Sequence, residues 1–170
     1  MGLSQQMHPY ELPYVVKIYS ATYPCGDKST DVFTFRHLPY PDDPSLKNLP
    51  QGEDQPLRMH ASIDFPVIQT TAEIHGFAGY FTAELYQGCF YSIDPSKHTP
   101  GMNSWFPLYF PIKRPFIARK GQIIKIAIWR NNSQSKVWYE WAMSLHGADG
   151  SLILKTDIHN VSGQGYSIGL

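Results

Sequence analysis

The sequence has no excess of charge of either sign, few cysteines and no long apolar run. Its 14 Lys and Arg residues balance 14 Asp and Glu residues, so the basic surface expected of a nucleic-acid-binding protein is missing. No apolar run reaches the roughly 18 residues of a membrane span, and the N-terminal stretch has no signal segment. Cys25 and Cys89 lack redox or zinc spacing and are expected to be free thiols. These absences predict a soluble, intracellular protein with no direct nucleic-acid or membrane partner.

Motifs for metal binding and catalysis are absent as well. No two of the seven histidines are spaced to bind one metal ion beside a carboxylate. No nucleophile-elbow or catalytic-cysteine sequence surrounds a serine or cysteine. The cluster Gly163-Gln164-Gly165 lies too close to the end of the sequence for a phosphate-binding helix to follow it. The sequence therefore predicts no metal site, no cofactor-binding residue and no catalytic residue in this chain.

What is present is typical of an all-β domain with many turns. Aromatic residues make up 14% of the 170 residues, accompanied by 14 Pro and 13 Gly. Apolar residues alternate with polar ones in residues 122–130 and 136–146. The Asn131-Asn132-Ser133 group between them predicts a hairpin, so these two strands should form an antiparallel pair. Further strands are predicted at residues 12–19, 31–37, 57–65, 73–86 and 89–94.

The fold class is therefore all-β, with roughly ten short strands. This pattern fits a barrel or a sandwich equally well. Residues 1–11 are expected to form a flexible lead-in, or a remnant of cloning, and residues 12–170 the domain. Residues 38–56 contain five prolines and several acids, which predicts an exposed insertion that is either a dimerisation arm or a disordered loop.

Four segments carry a family resemblance: residues 75–81 (HGFAGYF), 100–107 (PGMNSWFP), 136–141 (KVWYEW) and 165–170 (GYSIGL). In order and spacing they resemble the C-terminal β-barrel of the type II protein arginine methyltransferases, which form symmetric dimethylarginine. The resemblance extends from about residue 12 to residue 170 and implies an antiparallel β-barrel. In that family a Rossmann-type domain binds S-adenosylmethionine and carries two catalytic glutamates. Neither element is in this chain, so the fragment alone is expected to be inactive.

The resemblance also implies a substrate-binding turn. The symmetric subgroup has Phe-Ser-Trp where this chain has Asn103-Ser104-Trp105, a departure at the first position. Trp105 is expected to stack on the planar, cationic guanidinium of the substrate arginine. Ser104 is expected to accept one of its N–H groups, and Phe106 to form a wall of the site. Without the resemblance, the default interpretation of Trp105 is a core or hairpin aromatic residue.

Further expectations follow from the resemblance. The parent enzyme should methylate arginine in protein substrates such as histones and RNA-processing proteins. Within that enzyme, the β-barrel should contact the Rossmann-type domain. The enzyme should form a homo-oligomer and work in the cytoplasm and the nucleus, where it would regulate chromatin. Residues 166–170 should dock as a final strand. The residues themselves give two more expectations: Trp138, on the polar face of its strand, should lie at an interdomain surface, and Gly76 and Gly79, inside a strand pattern, should mark a bulge or a tight corner. The alternative is a stand-alone β-barrel module that binds a peptide or a carbohydrate.

Overall fold

The computed structural model describes residues 10, 12–17, 33, 59–67, 70–102 and 104–169 of the chain. These residues form ten β-strands and no α-helix. The strands are β1 (Tyr14–Val15), β2 (Met59–Pro66), β3 (Ala72–Gly79), β4 (Thr82–Tyr86), β5 (Cys89–Ser92), β6 (Leu108–Ala118), β7 (Ile123–Asn132), β8 (Lys136–His146), β9 (Leu152–Lys155) and β10 (Ile168–Gly169). Accordingly, the part of the chain that is described contains no helix able to cross a membrane.

All of the strand pairs are antiparallel, and they fall into three sheets. The first sheet has the order β1-β6-β3, and the second has the order β10-β8-β7-β2 with β9 also paired to β8. The third is the β4-β5 hairpin. The all-β, antiparallel class is therefore confirmed, whereas closure into a barrel stays a prediction.

The core lies between the first and second sheets. Ile74, Ile112 and Phe116 come from the first sheet and pack with Ile126 and Met143 of the second. Each such side chain contributes about 1.5–3 kcal/mol when it is fully buried. Burial therefore fixes which face of each strand points inward.

The predicted hairpin at residues 122–146 is confirmed. Strands β7 and β8 pair without interruption, with Ile128 opposite Trp141 and Asn132 opposite Val137. Trp141 is fully buried, and its indole Nε1 donates to the carbonyl oxygen of Pro111 at 2.7 Å. This bond joins the second sheet to the first.

Strand β6 was missed by the sequence analysis because it contains two prolines, Pro111 and Pro115. Proline cannot donate to a strand ladder and is found mainly at sheet edges and bulges. Here Gly76 pairs with Pro111 and Ile74 pairs with Phe116, so residues 112–115 have no partner in β3. Pro115 lies in this bulge, where its missing N–H breaks no ladder bond.

The predicted strand at residues 73–86 is wrong as a single element, because it divides into β3 and β4. The predicted bulge at Gly76 is confirmed by the shift in register between Ile74 and Gly76. A Cβ atom on Gly76 would meet the carbonyl oxygen of Phe110 and lie 2.9 Å from the Cα of Pro111. Only glycine allows the backbones of β3 and β6 to approach this closely.

The other strand predictions are met to different degrees. Strand β2 agrees with the segment predicted at 57–65, β5 covers part of 89–94, and the described part of 12–19 contains only the short strand β1. Strand β9 was not predicted. Residues 31–37 apart from Phe33, residues 1–11 apart from Tyr10, the whole of 38–56, and Cys25 lie outside the described residues. Cys89 is an exposed free thiol.

The C-terminal segment docks on the second sheet, as predicted. Ile168 pairs with Val137 and Gly169 pairs with Lys136. Upstream of this strand, Asn160 is fully buried and forms four hydrogen bonds through its side chain. The final strand is therefore held both by strand pairing and by a buried polar side chain.

Candidate functional site

Ser104, Trp105 and Phe106, the three residues expected to bind a guanidinium, lie in the loop between β5 and β6. The start of this loop is closed by a reciprocal pair of hydrogen bonds. The Thr99 N–H donates to the carbonyl oxygen of Ser92 at 2.9 Å, and the Ser92 N–H donates to the Thr99 hydroxyl at 3.0 Å. The loop therefore leaves the end of β5 in a defined direction.

Two buried polar residues, Ser92 and Asp94, brace the same end of the hairpin. The hydroxyls of Thr82 and Ser92 lie 2.8 Å apart, and the Asp94 N–H donates to the Ser92 hydroxyl at 3.1 Å. The Asp94 carboxylate accepts from both the N–H and the hydroxyl of Ser96. Buried polar groups that are satisfied in this way hold one arrangement, since breaking any bond leaves an unpaired group.

The sequence Pro100-Gly101 makes the next turn. The Met102 N–H donates to the carbonyl oxygen of Thr99 at 3.4 Å, and Gly101 has a φ of 82°. Proline at the second position and a positive φ at the third are the features of a type II turn. This turn brings the chain to Ser104 and Trp105, whereas Asn103 lies outside the described residues.

Trp105 is exposed but not isolated. The side chain is 60% exposed, which excludes the core-aromatic interpretation and contrasts with the fully buried Trp141. Its ring meets the ring of Phe81 at a centroid distance of 5.4 Å and an angle of 70°. Edge-to-face pairs of this kind contribute about 0.5–1.5 kcal/mol beyond the burial of area. Phe81 therefore restrains the indole while leaving most of its surface open.

Phe81 is the residue that the sequence analysis missed. In residues 75–81 only Gly76 and Gly79 were given a role, as a bulge or tight corner, yet Phe81 contacts the candidate site. Its carbonyl oxygen also accepts the N–H of Ile93 at 3.0 Å, so the same residue anchors the backbone at the start of the loop. The two positions are distant in sequence, and only the fold brings them together.

Ser104 and Phe106 are exposed beside Trp105. The nearby β4-β5 hairpin also exposes large apolar side chains, with Leu85 67% exposed and Phe90 56% exposed. The site can therefore present the exposed aromatic face of Trp105 to a cation.

Trp138, expected at an interdomain surface, packs within its own chain. A Cβ atom on Gly163 would lie 2.8 Å from the ring of Trp138. The Nε1 of Trp138 donates to the carboxylate of Glu140 at 2.8 Å. The Lys136 Nζ lies 4.9 Å from the ring centroid. The 3₁₀ turn at Val161–Gly163 and its neighbours thus cover much of this ring.

Two tyrosines keep their phenol groups protonated at neutral pH. Burial raises the pKa of Tyr109. Burial also raises the pKa of Tyr139. The positive charge of Arg130 and a hydrogen bond from its side chain lower that pKa, but by less. Neither residue can serve as a base near neutral pH.

The described residues show neither a strand-loop-helix unit nor a metal-binding cluster. They contain no α-helix, and hence no strand-loop-helix unit of the kind that binds nucleotide phosphates. Within the same residues, no group of three or more His, Cys, Asp or Glu side chains is arranged to hold a metal.

Comparison with known proteins gives consistent matches. The family model described as the PRMT5 oligomerisation domain matches residues 2–168. Protein arginine N-methyltransferase 5 of Xenopus laevis is 38% identical over 166 residues, which cover 95% of this chain and 22% of the relative. The protein of the same name from Oryza sativa subsp. japonica is 35% identical over 163 residues, covering 95% of this chain and 22% of the relative.

A third relative is more distant. Protein arginine N-methyltransferase skb1 of Schizosaccharomyces pombe is 30% identical over 171 residues, covering 95% of this chain and 26% of the relative. The chain thus spans between 22% and 26% of the length of these three relatives.

Proposed function

Because the chain belongs to the protein arginine N-methyltransferase 5 family, through the domain described as its oligomerisation domain, we propose that it is the C-terminal β-barrel of an arginine methyltransferase. In this proposal the antiparallel sheets close into one barrel that forms a wall of the substrate cleft. The parent enzyme transfers a methyl group to arginine residues of proteins. The names of the relatives support this activity, and family membership favours it over a stand-alone module for peptide or carbohydrate.

The observation that carries the proposal is the exposed, restrained ring of Trp105. A guanidinium is planar and cationic, so an indole face attracts it by about 0.5–2 kcal/mol. Phe81 holds that indole at 5.4 Å, which reduces the entropy lost when substrate binds. A fixed plane also aligns one guanidine nitrogen for methyl transfer, and correct orientation is worth more than the contact energy alone.

Ser104 and Phe106 complete the proposed contact surface. The carbonyl or hydroxyl oxygen of Ser104 accepts a guanidinium N–H, since both are acceptors and the residue is exposed. Phe106, which is 36% exposed, limits the cleft on one side. Because arginine remains protonated below a pKa of about 12, carboxylates that localise its charge are also required.

We assign those carboxylates and the methyl donor to a Rossmann-type domain outside these 170 residues. S-adenosylmethionine supplies the methyl group when it is bound there. The exposed Leu85 and Phe90 of the β4-β5 hairpin support an interdomain contact, because a two-stranded hairpin alone buries little apolar surface. The isolated fragment is inactive in this scheme.

The product and substrate class are tested directly on the full-length protein. Methyl-labelled S-adenosylmethionine and an arginine-containing histone-tail peptide are expected to give labelled symmetric dimethylarginine, identified by chromatography of the hydrolysed peptide. The sequence Ser104-Trp105 supports the symmetric product. Asymmetric product alone would overturn the type II assignment, and no transfer to arginine would overturn the proposed activity. Histones and RNA-processing proteins remain the proposed substrates, in the cytoplasm and the nucleus.

The parent enzyme is also proposed to be a homo-oligomer, as the family description supports. Residues 38–56 serve as the dimerisation arm in this proposal, since their prolines and acids are suited to an exposed insertion. Deleting this segment from the full-length protein is expected to lower the molar mass measured by light scattering. An unchanged mass in a folded deletion variant would assign oligomerisation to another surface.

A further inference from the structure

The bulge in β6 turns three consecutive residues outward. Lys113, Arg114 and Pro115 are all exposed, although Ile112 before them and Phe116 after them are buried. In a regular strand, adjacent side chains point to opposite faces. The extra residues of the bulge break that alternation, as bulges near functional sites often do. Two adjacent cations therefore point to solvent at the same place.

These cations line a cleft where the two large sheets meet. Its volume is about 250 Å³. One wall comes from the β6 bulge, and the other from the end of β9 and the residues that follow, including Lys155, Thr156 and Asp157. Phe116 and Leu154 give the cleft an apolar lining between the charged groups.

Two hydrogen bonds of His159 hold the cleft in shape, and one of them crosses to the first sheet. The His159 Nε2 accepts the backbone N–H of Lys113 at 3.0 Å, so the ring proton must be on Nδ1. That atom lies 3.3 Å from the carbonyl oxygen of Trp141, to which it donates. His159 is thus held at both of its ring nitrogens, with Nε2 as an acceptor.

The cleft carries a local excess of positive charge on a chain whose formal net charge is zero. The cationic side chains are Lys113, Arg114 and Lys155, and the single carboxylate is Asp157. None of the four forms an ion pair with another described residue. The three cations outnumber the one carboxylate, so the cleft keeps an excess of positive charge that an anionic ligand would offset.

We propose that this cleft binds an acidic peptide segment of a protein partner, with one carboxylate side chain seated among the three cations. The size decides between ligand classes, because pockets for drug-sized ligands and cofactors usually occupy about 300–1,000 Å³. A cleft of about 250 Å³ suits one or two side chains of a peptide. Phe116 and Leu154 contact the methylene groups of that side chain, while Lys113, Arg114 and Lys155 pair with its carboxylate.

The experiment uses the full-length protein and a fluorescein-labelled polyglutamate peptide as the probe, with binding measured by fluorescence anisotropy. The cleft variant combines Lys113→Glu with Lys155→Glu. The matched control combines Lys97→Glu with Lys120→Glu, which changes the net charge equally at exposed positions elsewhere. If the cleft variant unfolds by circular dichroism, the neutral pair Lys113→Gln and Lys155→Gln replaces it.

The cleft variant is expected to bind the probe about tenfold more weakly or worse, and the control to bind it like the unaltered protein. Added salt should weaken binding by the unaltered protein, because the contact is between exposed charges. Equal weakening in both variants, or no binding to the unaltered protein, would overturn the proposal. So would inorganic phosphate displacing the probe much better than chloride at equal ionic strength, since the cleft would then be a site for free oxyanions. These outcomes are independent of arginine methylation, which is measured separately.

Discussion

Replacement of Asn160 by Asp is expected to lower the free energy of unfolding by about 2–6 kcal/mol. The Nδ2 of Asn160 donates to the carbonyl oxygens of Tyr139 and Tyr166, each at 2.8 Å. The side chain of an aspartate has no N–H group, so both carbonyl oxygens lose their donor. Each carbonyl oxygen left without a partner costs about 1–3 kcal/mol of stability. A carboxylate in this fully buried position would also face two carbonyl oxygens. The expected fall in the thermal midpoint is about 5–20 °C.

The position of Asn160 explains why the effect should be large. Its Oδ1 accepts the N–H groups of Gly165 and Tyr166, each at 2.9 Å, and its backbone is left-handed with a φ of 55°. Asparagine and aspartate both tolerate that conformation, so the comparison isolates the amide donors. The final strand β10 follows shortly afterwards and depends on this segment for its place on β8.

The matched control is Gln164→Glu, which makes the same amide-to-acid change at an exposed position. It is expected to change stability by less than about 0.5 kcal/mol. The loss of unfolding free energy caused by Asn160→Asp should become smaller as the pH falls, because a protonated carboxyl group has one O–H donor. Thermal unfolding followed by circular dichroism at neutral and acidic pH measures both effects. Equal stability of the two variants would contradict the role given to Asn160.

The elements that could be predicted from sequence are those where burial follows a simple period. In β7 alternate residues such as Ile124, Ile126 and Ile128 are buried, and a short polar turn joins this strand to β8. Strand β6 could not be predicted because Pro111 and Pro115 oppose strand formation locally. Its stability comes instead from burial of Phe110, Ile112 and Phe116 against other strands, which sequence alone does not show.

Strand β9 was missed for a different reason. Leu152, Ile153 and Leu154 are consecutive apolar residues without alternation, and the first two are 59% and 50% exposed. The pairing of Leu154 with Leu145 of β8 makes this segment a strand. A short run without a period gives no local signal of such pairing.

The candidate site was only partly predictable. Ser104, Trp105 and Phe106 were identified through a family resemblance, and without it Trp105 would have been interpreted as a core or hairpin aromatic residue. The contact between Phe81 and Trp105 depends on the hairpin that separates them. The cationic cleft depends on Lys155 meeting the β6 bulge across two sheets. Contacts between positions so distant in sequence require the folded structure.

Trp105→Ala is expected to lower kcat/KM for arginine methylation by about 100-fold or more in the full-length enzyme. Loss of the cation-π contact accounts for about 0.5–2 kcal/mol, or up to about 30-fold. Loss of the fixed guanidinium plane accounts for the rest, because a displacement of about 1 Å can cost about 100-fold. Stability should change by less than about 1 kcal/mol, since the side chain is 60% exposed.

Two further variants separate contact from orientation. Trp105→Phe keeps an aromatic face with a weaker attraction for cations and should retain intermediate activity. Phe81→Leu keeps an apolar side chain but removes the ring that meets the indole, and it is expected to lower kcat/KM about 2- to 10-fold. Restoring the ring as Phe81→Tyr should recover activity, whereas a purely structural effect would lower the thermal midpoint in both Phe81 variants.

The most direct test of the proposed role is therefore kcat/KM for an arginine peptide, measured with the thermal midpoint, for Trp105→Ala and for Tyr166→Ala. Tyr166 is a matched control because it is an aromatic residue that is 47% exposed and remote in sequence from the loop. A loss of about 100-fold for Trp105→Ala alone, with both proteins folded, is the predicted result. Unaltered methylation by folded Trp105→Ala would contradict the assignment of this loop to the substrate arginine.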